Sequence, residues 1–64
     1  MGKVMQLDYD TGELIEIYDS VRLAANDNYI SYISLREALQ RGNGTAKLEN
    51  KKLVFTRAYT PRSF

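Results

Sequence analysis

Residues 19–42, DSVRLAANDNYISYISLREALQRG, decide how this chain folds. Val21, Ala24, Ala25 and Asn28 recur at helical spacing, and Leu35, Ala38 and Leu39 repeat the pattern at i, i+3 and i+4. Between them, Asn26-Asp27-Asn28 favours a turn, because each side chain competes for nearby backbone groups. The stretch therefore predicts two short helices joined by a tight turn. Asp19 or Ser20 can cap the first, and with Asp19 as cap Tyr18 and Leu23 take the positions of a hydrophobic staple. Ser31 can cap the second, with Ile30 and Leu35 at staple spacing and Ser34 at the third helical position. Gly42 is expected to end that helix in the left-handed region, and Arg41 in the last turn complements its dipole. Ala24 and Ala25 are small enough to let the helices approach closely.

Outward from this pair the period changes to that of strands. Met5, Leu7 and Tyr9 alternate with Gln6 and Asp8, as in a half-buried strand. Asp10 can bond its own following backbone and Gly12 can take positive φ, so Tyr9 to Gly12 reads as a turn. Leu14 to Tyr18 is a second strand with Ile15 and Ile17 on one face, and a loop of this kind suits a hairpin with a bulge. After the loop Asn43-Gly44-Thr45, Ala46 to Leu48 and Leu53 to Arg57 read as strands around a turn in which Asn50 tolerates left-handed geometry. The expected architecture is α+β. A small three- or four-stranded antiparallel sheet carries a helix-turn-helix pair inserted between the N-terminal hairpin and the C-terminal strand. Residues 1–57 form this module, and 58–64, with Pro61, read as a frayed tail.

Composition excludes several kinds of chemistry. The chain has no cysteine and no histidine, so disulfides, thiolate metal sites and histidine-based triads are all ruled out. The acids Asp8, Asp10, Glu13 and Glu16 read as a solvated hairpin face that blunts a sheet edge, not as an acid–base pair. No catalyst, metal site or cofactor is expected. No apolar run approaches the roughly 20 residues that span a bilayer, and no signal-peptide core opens the chain. With 44% hydrophobic residues it is too apolar to be disordered. A cytoplasmic globular domain is the expectation.

The net charge of +1 conceals an asymmetry. Residues 1–35 hold two cations against six acids, a balance of −4, and residues 36–64 hold seven cations against two acids, a balance of +5. Halves of opposite sign fit either one face for a polyanion or a monomer whose halves attract each other.

The order of these pieces resembles a known family. YDTGELIEIYDSV, then Ala24-Ala25, Ile30-Ser31, LREAL at Leu35 to Leu39, Gly42, and KLVF at Lys52 to Phe55 are similar to the nuclease-associated modular DNA-binding domain of the first type. The resemblance covers about residues 4–56. It implies a module of the kind appended to homing endonucleases and found in phage proteins, in which the helix pair binds DNA. The interhelical turn is one residue longer here, where the family places a leucine-glycine pair. Lysines around the second helix are sparse, and Glu37 stands on its exposed side.

On that reading the second helix enters a DNA major groove. Ser31 and Tyr32 add hydroxyl donors to its amide-rich start, which suits phosphate. Ser34, Arg36 and Gln40 have the chemistry for base edges, and Arg41, Lys47, Lys51 and Lys52 flank the groove toward phosphates. Duplex DNA is the expected partner of a small phage-type module or regulator, and a homodimer reading a palindrome is compatible with it. The alternative is a protein-interaction domain that docks on a host protein through a strand edge and the tyrosines Tyr9, Tyr18, Tyr29, Tyr32 and Tyr59.

Overall fold

A computed structural model describes residues 3–58. The elements run β1 (Lys3–Leu7), β2 (Leu14–Tyr18), α1 (Val21–Asp27), α2 (Tyr32–Arg41), β3 (Thr45–Leu48) and β4 (Leu53–Ala58). The fold is α+β. Four antiparallel strands form one sheet in the order β2-β1-β4-β3, with both helices between β2 and β3 in sequence. Ala58, expected to begin the tail, is the last residue of β4, and the rest of that tail, 59–64, with Tyr59, falls outside the described residues.

Both helices lie on one face of the sheet, and register shows which side chains meet them. Val4 pairs with Arg57, Gln6 with Phe55, and Phe55 with Ala46. These positions point one way, and Val4, Phe55 and Ala46 are buried with Ala24, Ala25, Leu35 and Leu39 of the helices. The inward face of β1 is therefore Val4 and Gln6, and Met5 and Leu7 face the other side. Apolar alternation alone pointed to the opposite face. The competing residue is Gln6, which is only 8% exposed. Its side-chain oxygen accepts an N–H from Asn28 at 3.4 Å, and Asn28 also donates to the Ala24 carbonyl at 2.9 Å. The Tyr18 hydroxyl donates to Asp27 at 2.8 Å and accepts from Asn28 at 3.4 Å. This network gives a buried polar group partners and fixes the end of α1 to the sheet. Burial, followed by the Asp27 bond, raises the Tyr18 pKa above its ordinary value.

Ser20, not Asp19, caps α1: its hydroxyl oxygen accepts the Leu23 N–H at 3.2 Å. Asp19 is instead bound by the Lys3 ammonium at 2.8 Å, which lowers its pKa. The staple expected from an Asp19 cap is absent, and Leu23 is half exposed. At α2 the expected cap is observed. Ser31 accepts the Ser34 N–H at 3.3 Å, and Ile30 packs on the core beside the fully buried Leu35.

Turn chemistry is displaced from the expected residues at three places. Asp8, not Asp10, closes the β1–β2 loop by accepting the N–H groups of Asp10 and Thr11 at 2.8 and 2.9 Å. Those two bonds hold its carboxyl below the ordinary value. In the β3–β4 turn Lys52, not Asn50, has positive φ. Gly42 closes α2 at φ −94°, outside the left-handed region, while Asn43 and Gly44 take φ of 54° and 99°. Gly42 is required for space, because a Cβ there would overlap the Thr45 carbonyl oxygen. Gly12 adopts φ 81° as expected, and the register of β1 on β2 slips between Gln6 and Leu7, the expected bulge.

Candidate nucleic-acid interface

The α2 helix is held at two sides and open at the third. Leu35 and Leu39 are fully buried, and Tyr32 and Ala38 pack on the edge of the core. At 100° per residue, Ile33, Glu37 and Gln40 lie opposite that buried stripe. Ile33 is 59% exposed, and Glu37 and Gln40 are exposed. Arg36 lies on the flank toward Tyr32, whereas Ser34 and Arg41 lie on the other flank. All three are exposed.

The start of α2 opens on a cleft of about 720 Å³ bounded by the β3–β4 turn. Ser31, Ser34, Lys47 and Lys51 line it together with the acid Glu49, Tyr29, Asn50 and the apolar Ile30, Leu35 and Leu48. Ser31 spends an acceptor lone pair on the Ser34 amide, so its own proton is free to donate outward. The amides of Tyr32 and Ile33 precede the first intrahelical bond, which Leu35 donates to the Ser31 carbonyl. Hydroxyl, backbone amides and the helix dipole are therefore directed to the same place.

The nine residues singled out in the sequence separate into groups. Ser31, Ser34 and Lys51 converge on the cleft, and Lys52 is exposed on the adjoining turn. Arg36 takes one flank of α2, beside Gln40 on the exposed face, and Arg41 takes the other flank. Lys47 borders the cleft too, but it is in register with Val54 and its ammonium is directed elsewhere, 5.2 Å from the centroid of the Tyr9 ring. Val54 is in register with Leu7, so that side chain occupies the sheet face away from the helices. Tyr32 is half buried, with the Arg22 guanidinium 4.5 Å from its ring centroid.

Four residues near this surface were not among the nine. Ile33 and Glu37 form the centre of the exposed α2 face, which the wheel alone could have indicated. Arg22 brings an α1 cation to the start of α2, a proximity that only the packing of the helices creates. Tyr29 stands at the mouth of the cleft, 93% exposed and with φ 58°. The ion pairs also bear on the charge asymmetry. Among the described residues the one ion pair is Lys3–Asp19, both within the acidic half, so no pair joins the two halves. Among the described residues no group of three potential metal-ligating side chains forms, and no helix is long and apolar enough to cross a membrane. Compared with known protein families, with curated proteins and with solved structures, the chain matches none of them.

Proposed function

We propose that this module binds duplex DNA, with the exposed face of α2 in the major groove and the cleft at its start against the phosphate chain. The observation that carries the reading is that Arg36, Arg41, Lys51 and Lys52 are exposed and make no ion pair among the described residues. None of them is bound to an acid of the β1–β2 hairpin among the described residues. Arg36 and Gln40 present donors for guanine and adenine edges, and the exposed Ile33 side chain offers an apolar contact for a thymine methyl. Ser31, Lys51 and the first amides of α2 position the backbone without reading sequence. The module acts by binding alone, as a regulator or accessory domain of phage or mobile-element type working in the cytoplasm.

Three or four phosphate contacts imply an affinity that falls about 40- to 150-fold between 50 and 200 mM salt. Fluorescence anisotropy with a random-sequence duplex measures this directly. An Arg36→Ala/Gln40→Ala variant that binds duplex as the parent does would remove α2 from the interface. A second reading, docking on a host protein, is favoured by one observation: Leu14, Ile15 and Ile17 on the edge strand β2 are about half exposed. Such an apolar contact barely responds to salt.

A further inference from the structure

The helices cover one face of the sheet; on the other, Met5, Leu7 and Val54 are half-buried, Leu14 and Ile17 are exposed, and the Tyr9 ring lies against Lys47. Register places Leu14, Leu7, Val54 and Lys47 in one row across that outer face, and Ile17, Met5, Thr56 and Thr45 in the next. Leu14 and Ile17 are 53% and 48% exposed, a costly arrangement in a domain whose core holds only four large, fully buried side chains.

We propose that this outer face is where two copies of the chain associate, packed sheet to sheet about a two-fold axis that crosses the strands between these two rows. The apolar and polar residues select the axis. They are divided left to right, with Leu14, Ile17, Leu7 and Met5 on β2 and β1, and Thr56, Thr45 and Lys47 on β4 and β3. An axis along the strands would set β2 over the partner's β3, opposing Leu14 to Lys47 and Ile17 to Thr45. An axis across the strands sets β2 over β2 and β1 over β1. Leu14 then meets Ile17 and Leu7 meets Met5, each contact made twice, as a two-fold interface requires.

The area of the face suffices for association. Four strands about 4.8 Å apart and five residues long give about 320 Å² in plan, and more as accessible surface because side chains rise from it. A face-to-face pair therefore removes on the order of 1,000 Å² in total, where specific interfaces begin. The two α2 helices would point away from the shared face in opposite directions. The dimer would then join two duplexes instead of reading one palindrome, a consequence that rests on the DNA reading, whereas the association does not.

Sedimentation equilibrium of the full chain without DNA tests the association. The expected species at high micromolar concentration has twice the 7.3 kDa of one chain. Ile17→Glu on the outer face weakens dimerisation at least tenfold, while Ile33→Glu on α2 leaves it unchanged. Leu14→Lys also weakens it, and pairing Leu14→Lys with Ile17→Glu, positions that the chosen axis brings together, restores part of it. Circular dichroism confirms that each variant folds. A parent chain that stays monomeric at millimolar concentration overturns the proposal, whatever else covers the face. So does a dimer that is insensitive to Ile17→Glu or not rescued when Leu14→Lys accompanies it.

Discussion

The Arg22 guanidinium lies 4.5 Å from the centroid of the Tyr32 ring, bridging the second residue of α1 to the first of α2. Both side chains stand at the edge of the helix pair, where the buried contact between the helices is made by small residues such as Ala24 and Ala25. A cation–aromatic contact at an exposed site contributes about 0.5–1 kcal/mol. Arg22→Ala is expected to lower Tm by about 2–8 °C in a domain of this size, and Arg22→Lys to recover part of the loss. Thermal denaturation followed at 222 nm measures it. An unchanged Tm would mean that the small-residue packing alone sets the interhelical angle.

Gly42 makes a sharper prediction. Its φ of −94° suits any residue, so backbone preference alone would allow alanine. Its space does not, because a Cβ would overlap the backbone carbonyl of Thr45, which cannot rotate away. Gly42→Ala is expected to cost about 1–3 kcal/mol, the range of an overpacked site. Asn43→Gly, at φ 54°, should be neutral or stabilising. Urea unfolding midpoints that rank the two variants in the reverse order would contradict this reading.

These positions show what could be read from the residues and what could not. Element order and type were legible because each depends on neighbours in sequence, as with the Ser31 cap and the Leu35–Ala38–Leu39 stripe. The inward face of β1 was not, because the alternation of Met5 and Leu7 is real but belongs to the outer face. Val4 is inside because it packs with Phe55 and the helices, and Gln6 beside it finds partners in Tyr18 and Asn28, 12 and 22 residues away. Residue preference points positive φ to Asn50 and Gly42, whereas closure geometry imposes it on Lys52, Asn43 and Tyr29. In the candidate site Ser31, Ser34 and Lys51 followed from local pattern. The diversion of Lys47 to Tyr9 depends on strand register, which no single segment encodes.

Stability should fall at both ends of the pH scale for identifiable reasons. Asp8 accepts two backbone N–H bonds as a carboxylate, so its folded pKa lies below the ordinary 3.8. Its contribution is complete above that value and is lost as pH falls through the folded pKa. Tyr18 is shifted the other way, above 10.0, by burial and by Asp27. Its contribution is complete below pH 10 and is lost as pH rises through the folded pKa. The stability gap between the parent and Asp8→Ala should therefore narrow between pH 5 and pH 2, and that between the parent and Tyr18→Phe should narrow only above about pH 10. Urea titrations across these windows check both signs.

Tyr29 offers a test in which stability and binding move in opposite directions. It occupies the left-handed region at φ 58°, a conformation that costs an L-residue about 1–2 kcal/mol. At 93% exposure it recovers almost nothing by burial. Glycine would relieve the strain but lose more chain entropy on folding, so Tyr29→Gly is expected to gain about 0.5 kcal/mol and raise Tm by about 2–4 °C. The same substitution removes a hydroxyl and a ring from the mouth of the cleft at the start of α2. If the ring is held there for a phosphate or sugar contact, duplex affinity should fall about 2- to 10-fold, the worth of one hydrogen bond. Tyr29→Asn, which tolerates this φ, separates the two effects by easing the backbone while keeping a polar group. Thermal melts and anisotropy on the three proteins decide the matter. A Tyr29→Gly variant that is more stable and binds as tightly as the parent would make Tyr29 only a strained turn residue. One that is more stable and binds more weakly would tie the strain to the site, where strained backbone tends to be retained.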